Sequence, residues 1–121
     1  MHRILVVDDD QAVGHSMLSL LEAVGYSVRL VDSGHAALDY LAREGSEFSA
    51  VITDLHMTGM DGLTLARHVS ERFPGIPVIL CSGSGETAPE HFGMRPGLST
   101  VLAKPIRRRQ LAQVLAQLIP N

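Results

Sequence analysis

Carboxylates, a hydroxyl and an ammonium stand at the ends of short apolar runs in this chain. Asp8, Asp9 and Asp10 follow Ile4 to Val7, and Asp54 closes the run Ala50 to Thr53. Ser82 and Gly83 follow Val78 to Cys81, while Lys104 and Pro105 follow Thr100 to Ala103. Carboxylates packed together repel one another, and one takes a proton unless a cation is present. A hard, all-oxygen ligand set suits Mg²⁺, with Mn²⁺ as the alternative ion. A bare acidic cluster repels phosphate, whereas a cluster holding a divalent cation attracts it. Lys104 would add a second positive charge and Ser82 a hydrogen-bond donor. An Asp carboxylate is itself a nucleophile toward phosphorus. Cation, ammonium and in-line positioning are what phosphoryl transfer requires.

Taken singly, each residue has an ordinary role. An Asp after a strand caps the next helix, and Asp10 is assigned that role. Asp54 alone would be a loop aspartate, Ser82-Gly83 a turn and Lys104 a solvated side chain. The chain has ten basic residues, nine of them arginine, and its one lysine directly precedes Pro105. Lys is a compact point charge where Arg is a planar fork, so the two are not interchangeable.

The elements that must bring these groups together are legible as an alternation. Ile4 to Val7, Ser27 to Val31, Ala50 to Thr53, Val78 to Cys81 and Thr100 to Ala103 are rich in Val, Ile and Leu, with little polar alternation. That is the pattern of strands buried on both faces. Between them, Val13, Met17, Leu20, Leu21 and Val24 recur at helical spacing, with Gly25 placed as a C-terminal cap. Ser33 opens a second helix carrying Ala37, Leu38 and Leu41, and a third runs from near Asp61 to just before Pro74. Leu111, Val114, Leu115 and Leu118 mark the last. The segment from Glu86 to Leu98 holds Pro89, Gly93, Pro96 and Gly97, which predicts a short, irregular and mobile piece.

This alternation predicts an α/β fold: a five-stranded parallel sheet, doubly wound and flavodoxin-like, in strand order 2-1-3-4-5 with helices on both faces. Ligands of such sheets bind beyond the carboxyl ends of the strands, where strand order reverses. The first, third, fourth and fifth strands are neighbours there, so Asp8, Asp9, Asp54, Ser82 and Lys104 should converge.

Composition bounds the function. With 121 residues, 45% hydrophobic and 19% charged, the chain is expected to be one soluble domain over 1–121. A formal charge of -3 gives no basic footprint for nucleic acid. No apolar run approaches a membrane span, no signal-peptide pattern opens the chain, and the single cysteine suits a reducing compartment. A cytoplasmic module is expected. The six histidines lack paired ligand spacing for zinc, and Cys81 reads as a small buried hydrophobe. Arg107 to Arg109 form a short basic run, most simply a solvated face.

Four segments carry a resemblance: V-V-D-D-D at Val6 to Asp10, T-D-L-H-M-T-G-M-D-G at Thr53 to Gly62, C-S-G at Cys81 to Gly83, and A-K-P at Ala103 to Pro105. Together, in this order, they resemble the two-component response-regulator receiver family over about Arg3 to Leu118. The resemblance implies that Asp54 is the phosphoacceptor. It implies that Asp8 and Asp9 hold Mg²⁺ with Asp54 and the backbone carbonyl of His56. Lys104 would contact the phosphoryl group, Ser82 with Gly83 would form the switch segment, and a cis peptide would join Lys104 to Pro105. Three positions depart from the family pattern. Thr58 replaces a usual proline, which predicts a less rigid loop. His56 occupies a variable site linked in relatives to phosphoryl lifetime. Val101 stands where many receivers carry a switch aromatic.

The implied partner is a sensor histidine kinase or a histidine phosphotransfer protein, acting on an output domain, attached or separate. The responding surface would comprise the fourth helix, fifth strand and fifth helix, and phosphorylation-dependent dimerisation is left open. Two other classes compete. A haloacid-dehalogenase-type phosphohydrolase needs a second acid two residues after its nucleophile, where this chain has His56, and it needs a cap domain. A phosphorylation-independent interaction module has no need of all four site elements. A flavin site fails because acids follow the first strand.

Overall fold

The computed structural model describes residues 2–83 and 98–119. Its elements in chain order are β1 (Arg3–Val7), α1 (Gln11–Ala23), β2 (Ser27–Val31), α2 (Gly34–Glu44), β3 (Ala50–Asp54), α3 (Gly62–Arg72), β4 (Val78–Ser82), β5 (Thr100–Ala103) and α4 (Arg108–Leu118). A single 3₁₀ turn, Gly45–Glu47, follows α2. All strand pairs are parallel, in order β2-β1-β3-β4-β5, as the alternation predicts. The expected 86–98 segment lies outside the described residues apart from Leu98.

Side-chain alternation along the strands feeds two cores. Ile4, Val6, Ile52, Ile79 and Cys81 pack with Met17 and Leu21 of α1 and Leu111 and Leu115 of α4. Leu5, Val7, Val51 and Val78 face the other way, against Leu38 and Leu41 of α2 and Leu65 and Val69 of α3. Continuous apolar runs are therefore required, because both faces of every central strand lose water. Val13, expected on the apolar face of the first helix, is instead 37% exposed at its solvent edge.

The helices start and stop where local chemistry dictates. Asp10, Ser33 and Asp61 each accept from the backbone N–H three residues on, at 3.2, 3.1 and 2.8 Å, satisfying a donor that the helix leaves free. Past α1, Gly25 adopts φ +100, its N–H donating to Glu22 O and that of Tyr26 to Leu21 O, which closes the last carbonyls. α4 begins without a side-chain cap, at Arg107.

Candidate functional site

Register decides which residues meet. Val7 pairs with Thr53, Asp54 with Cys81, and Ser82 with Ala103. β3 and β4 each run one residue further than their apolar composition predicts, so Asp54 and Ser82 are terminal strand residues, fixed by sheet pairing. The peptide chain continues from β1 into Asp8 and Asp9 and from β5 into Lys104.

The structure brings the carboxylates together. One oxygen from each of Asp8, Asp9 and Asp54 lies within 4.8 Å of the others. Lys104 Nζ donates to Asp54 Oδ1 at 2.6 Å. Asp8 is buried and its Oδ1 accepts from the Asp10 N–H at 2.9 Å. Asp9 is exposed, and its Oδ2 accepts from both the N–H and the hydroxyl of Thr58, at 2.9 and 3.2 Å. The Lys104-Pro105 peptide is cis, and the Lys104 N–H donates to Ser82 O at 2.7 Å.

Electrostatics follow from these contacts. Burial pushes the Asp8 carboxyl above its ordinary value, the Asp10 N–H and Lys104 oppose the shift, and the charges of Asp54 and Asp9 add to it. The Thr58 N–H holds Asp9 below its ordinary value despite some desolvation. Burial works against the Lys104 ammonium, but the hydrogen bond and charge of Asp54 outweigh it and raise its pKa. One ammonium, Lys104, thus stands beside three clustered carboxyl groups.

Two details bear on what the site accepts. Ser82 is 2% exposed and its Oγ has no hydrogen-bond partner among the described residues. A buried hydroxyl left unpaired is costly, so an acceptor belonging to a ligand would relieve it. A recess of about 20 Å³ reaches Asp8, Asp54 and Lys104 beneath Val13, room for one water-sized species and too small for an organic substrate. A wider cleft of about 480 Å³ between α1, α2 and β2 touches Asp8 but not Asp54. The three-carboxylate donor set fits a small hard cation such as Mg²⁺, whereas the recess is walled mostly by apolar side chains and does not reach Asp9.

The remaining expected residues sit around this centre. His56 lies exposed in the loop after β3, and Gly83 is half-buried just past β4. Val101 is half-buried in β5, packed against the Leu55 and Leu80 cluster. Thr58 was expected only to loosen its loop. It instead ties that loop to Asp9, because replacing an imino acid by threonine restores an N–H. That restored donor was the available signal in the sequence.

Comparison with known proteins agrees with this geometry. Residues 4–116 match the family model described as the response regulator receiver domain. The chain is similar to the response regulator protein FleR of Pseudomonas aeruginosa, 37% identical over 115 residues, covering 95% of this chain and 24% of FleR. It is also similar to the response regulator receiver protein CpdR of Brucella abortus, 32% identical, covering 98% of both chains. Among solved structures, a response regulator receiver domain protein from Clostridium thermocellum superposes with a TM-score of 0.90 at 26% identity, covering 98% of this chain and 94% of that one. The chain thus spans about a quarter of FleR, and between 19% and 56% of relatives such as a rice response regulator and FixJ of Bradyrhizobium diazoefficiens.

Proposed function

The chain belongs to the response regulator receiver domain family of two-component signalling, and from that premise we propose that Asp54 accepts a phosphoryl group from a phosphohistidine. The donor is a sensor histidine kinase or a histidine phosphotransfer protein. A carboxylate oxygen of Asp54 attacks phosphorus, the P–O bond forms as the P–N bond breaks, and the imidazole leaves with a proton from solvent. Asp8, Asp9 and Asp54, with the His56 carbonyl, would hold Mg²⁺ or Mn²⁺, which when bound offsets the charge on the phosphoryl oxygens. Lys104 orients Asp54 before transfer and contacts the phosphoryl group after it. Ser82 donates its hydroxyl to the same group, and with Gly83 relays the change to partner or output-domain contacts. The module works in the cytoplasm as one domain, without catalytic turnover of its own substrate and without direct contact to nucleic acid. Val101 supplies no switch aromatic, so the relay relies more on the chain that follows Ser82.

The observation that carries this assignment is the meeting of three carboxylates with Lys104 on Asp54, beside a buried Ser82 hydroxyl that lacks a partner among the described residues. The test is mass spectrometry after incubation with acetyl phosphate or phosphoramidate and Mg²⁺. One base-labile phosphoryl adduct, absent in Asp54→Asn and in the metal-free sample, is the expected result. No adduct, together with no beryllofluoride binding and no phosphate release, would leave a phosphorylation-independent interaction module.

A further inference from the structure

We propose that Thr58 is a positioning residue for the divalent cation, a latch that holds the Asp9 carboxylate in ligand orientation. This rests on the metal assignment above and concerns a residue that the assignment does not use. Asp9 is exposed, unlike Asp8, and follows the end of β1 with no strand pairing to fix it. A free surface carboxylate samples several rotamers, and ordering it opposes cation binding. Thr58 removes that freedom. Its N–H and its hydroxyl both donate to Asp9 Oδ2, at 2.9 and 3.2 Å, across 49 positions of sequence. Two donors on Oδ2 hold that oxygen in place and narrow the rotamers open to Asp9, and Thr58 leaves Oδ1 unengaged. Ligating carboxylates depend on such outer hydrogen bonds for orientation.

The latch is also anchored at its other end. Gly59 takes φ +81 immediately after Thr58, turning the loop back toward α3. Met60 then packs its sulfur against Gly34, where an added Cβ would lie 2.6 Å from Sδ. Asp61 caps α3, with its carboxylate on the Thr64 N–H at 2.8 Å. Thr58 therefore donates from a loop held by α2 and α3, and it transmits that order to the terminus of β1. A proline at position 58 would supply neither donor.

The test uses the full chain and Mg²⁺ alone. Titration calorimetry measures the Mg²⁺ affinity of wild type, Thr58→Ser, Thr58→Val, Thr58→Pro and Asp54→Asn, beside urea midpoints and the Thr58 amide resonance in ¹H–¹⁵N spectra. Thr58→Ser should bind as wild type does. Thr58→Val, which keeps the N–H, should bind roughly three- to tenfold more weakly. Thr58→Pro should lose about ten- to a hundredfold. In wild type the Thr58 amide should keep its hydrogen-bonded shift at Mg²⁺ saturation. Wild-type affinity in both Thr58→Val and Thr58→Pro would overturn the latch and leave the metal site standing. Tighter binding by either, or an amide that loses its hydrogen-bonded shift on saturation, would overturn it too, since Thr58 would then compete with the cation. Wild type that fails to bind Mg²⁺, or binds equally as Asp54→Asn, would overturn the metal assignment and the latch together. Should Thr58→Pro not fold, Thr58→Val against Thr58→Ser decides.

Discussion

At Asp8, burial raises the carboxyl pKa above its ordinary 3.8, and the charges of Asp54 and Asp9 add to that shift against the Asp10 N–H and Lys104. The sign has a consequence for the metal-free protein. A folded state that holds this proton more tightly than the unfolded chain gains stability below the ordinary carboxylate pKa. It loses that stability as pH rises through the raised value. Where Asp8 is ionised, burial and the neighbouring carboxylates therefore oppose the fold, and a bound cation would relieve them. Asp8→Asn keeps an oxygen for the Asp10 N–H while deleting one charge of the cluster. Its metal-free stability at pH 7 should exceed wild type by up to ~3 kcal/mol, the repulsion of one close like-charge pair at partial screening. The same variant should lose most of the stabilisation that Mg²⁺ gives wild type. Urea midpoints with and without Mg²⁺ measure both, and a destabilised metal-free Asp8→Asn would show that Asp8 serves the fold more than the ion.

Among the elements, the start of α3 packs tightly against the end of β3 that carries Asp54. The Gly62 N–H donates to Leu55 O at 2.9 Å, and a Cβ at this position would collide with the Asp54 carbonyl oxygen and lie 2.7 Å from Leu80 Cδ1. Backbone cannot yield as a flexible side chain does. Gly62→Ala should push α3 off the end of β3, cost about 1–3 kcal/mol in urea unfolding, and lower the yield of Asp54 adduct at equal folded fraction. Unchanged midpoint and adduct would mean that the helix end accommodates a methyl freely. This close approach also marks where sequence legibility ended. Apolar runs and helical spacing identify every described strand and helix, and the sheet order follows from parallel crossovers. Asp10, Ser33 and Asp61 declare their helices because capping is local chemistry. The site residues were legible because strand ends are the termini of recognisable runs. Three features were not: that β3 and β4 take in Asp54 and Ser82, that Val13 sits at the solvent edge, and that Thr58 reaches Asp9. Each depends on register or on a contact between segments far apart in sequence, which no local pattern encodes. Thr58 and Gly62 are alike in kind, since each matters through what lies opposite it.

On the scale of the whole molecule, β4 reports on everything at once, because Cys81 sits in that central strand next to Asp54, in the core shared with α1 and α4. Burial pushes its thiol up to about 12, with Lys104 opposing and the Asp54 and Asp8 charges adding. Two results follow. The folded state binds the Cys81 proton more tightly than the unfolded chain, whose ordinary value is 9.0. That contribution is whole below pH 9 and is lost as pH rises toward about 12, a loss that Cys81→Ala should flatten. Near pH 8, moreover, a thiol reagent should reach Cys81 only through opening of the sheet, so its labelling rate tracks the population of the open state. A ligand that binds only the folded protein lowers that population by the factor 1 + [L]/Kd. Mg²⁺ at a hundred times its Kd should then slow Cys81 labelling about a hundredfold, and Asp54→Asn should abolish most of the slowing. Mild urea should accelerate labelling with the slope of global unfolding. Fast labelling that ignores both urea and Mg²⁺ would instead place the opening in the end of β4 alone, uncoupled from the carboxylate cluster. Labelling that follows both would mean that cation, carboxylates and both cores stand or fall as one cooperative unit, which a switch needs if a charge change at Asp54 is to be felt at a distant surface.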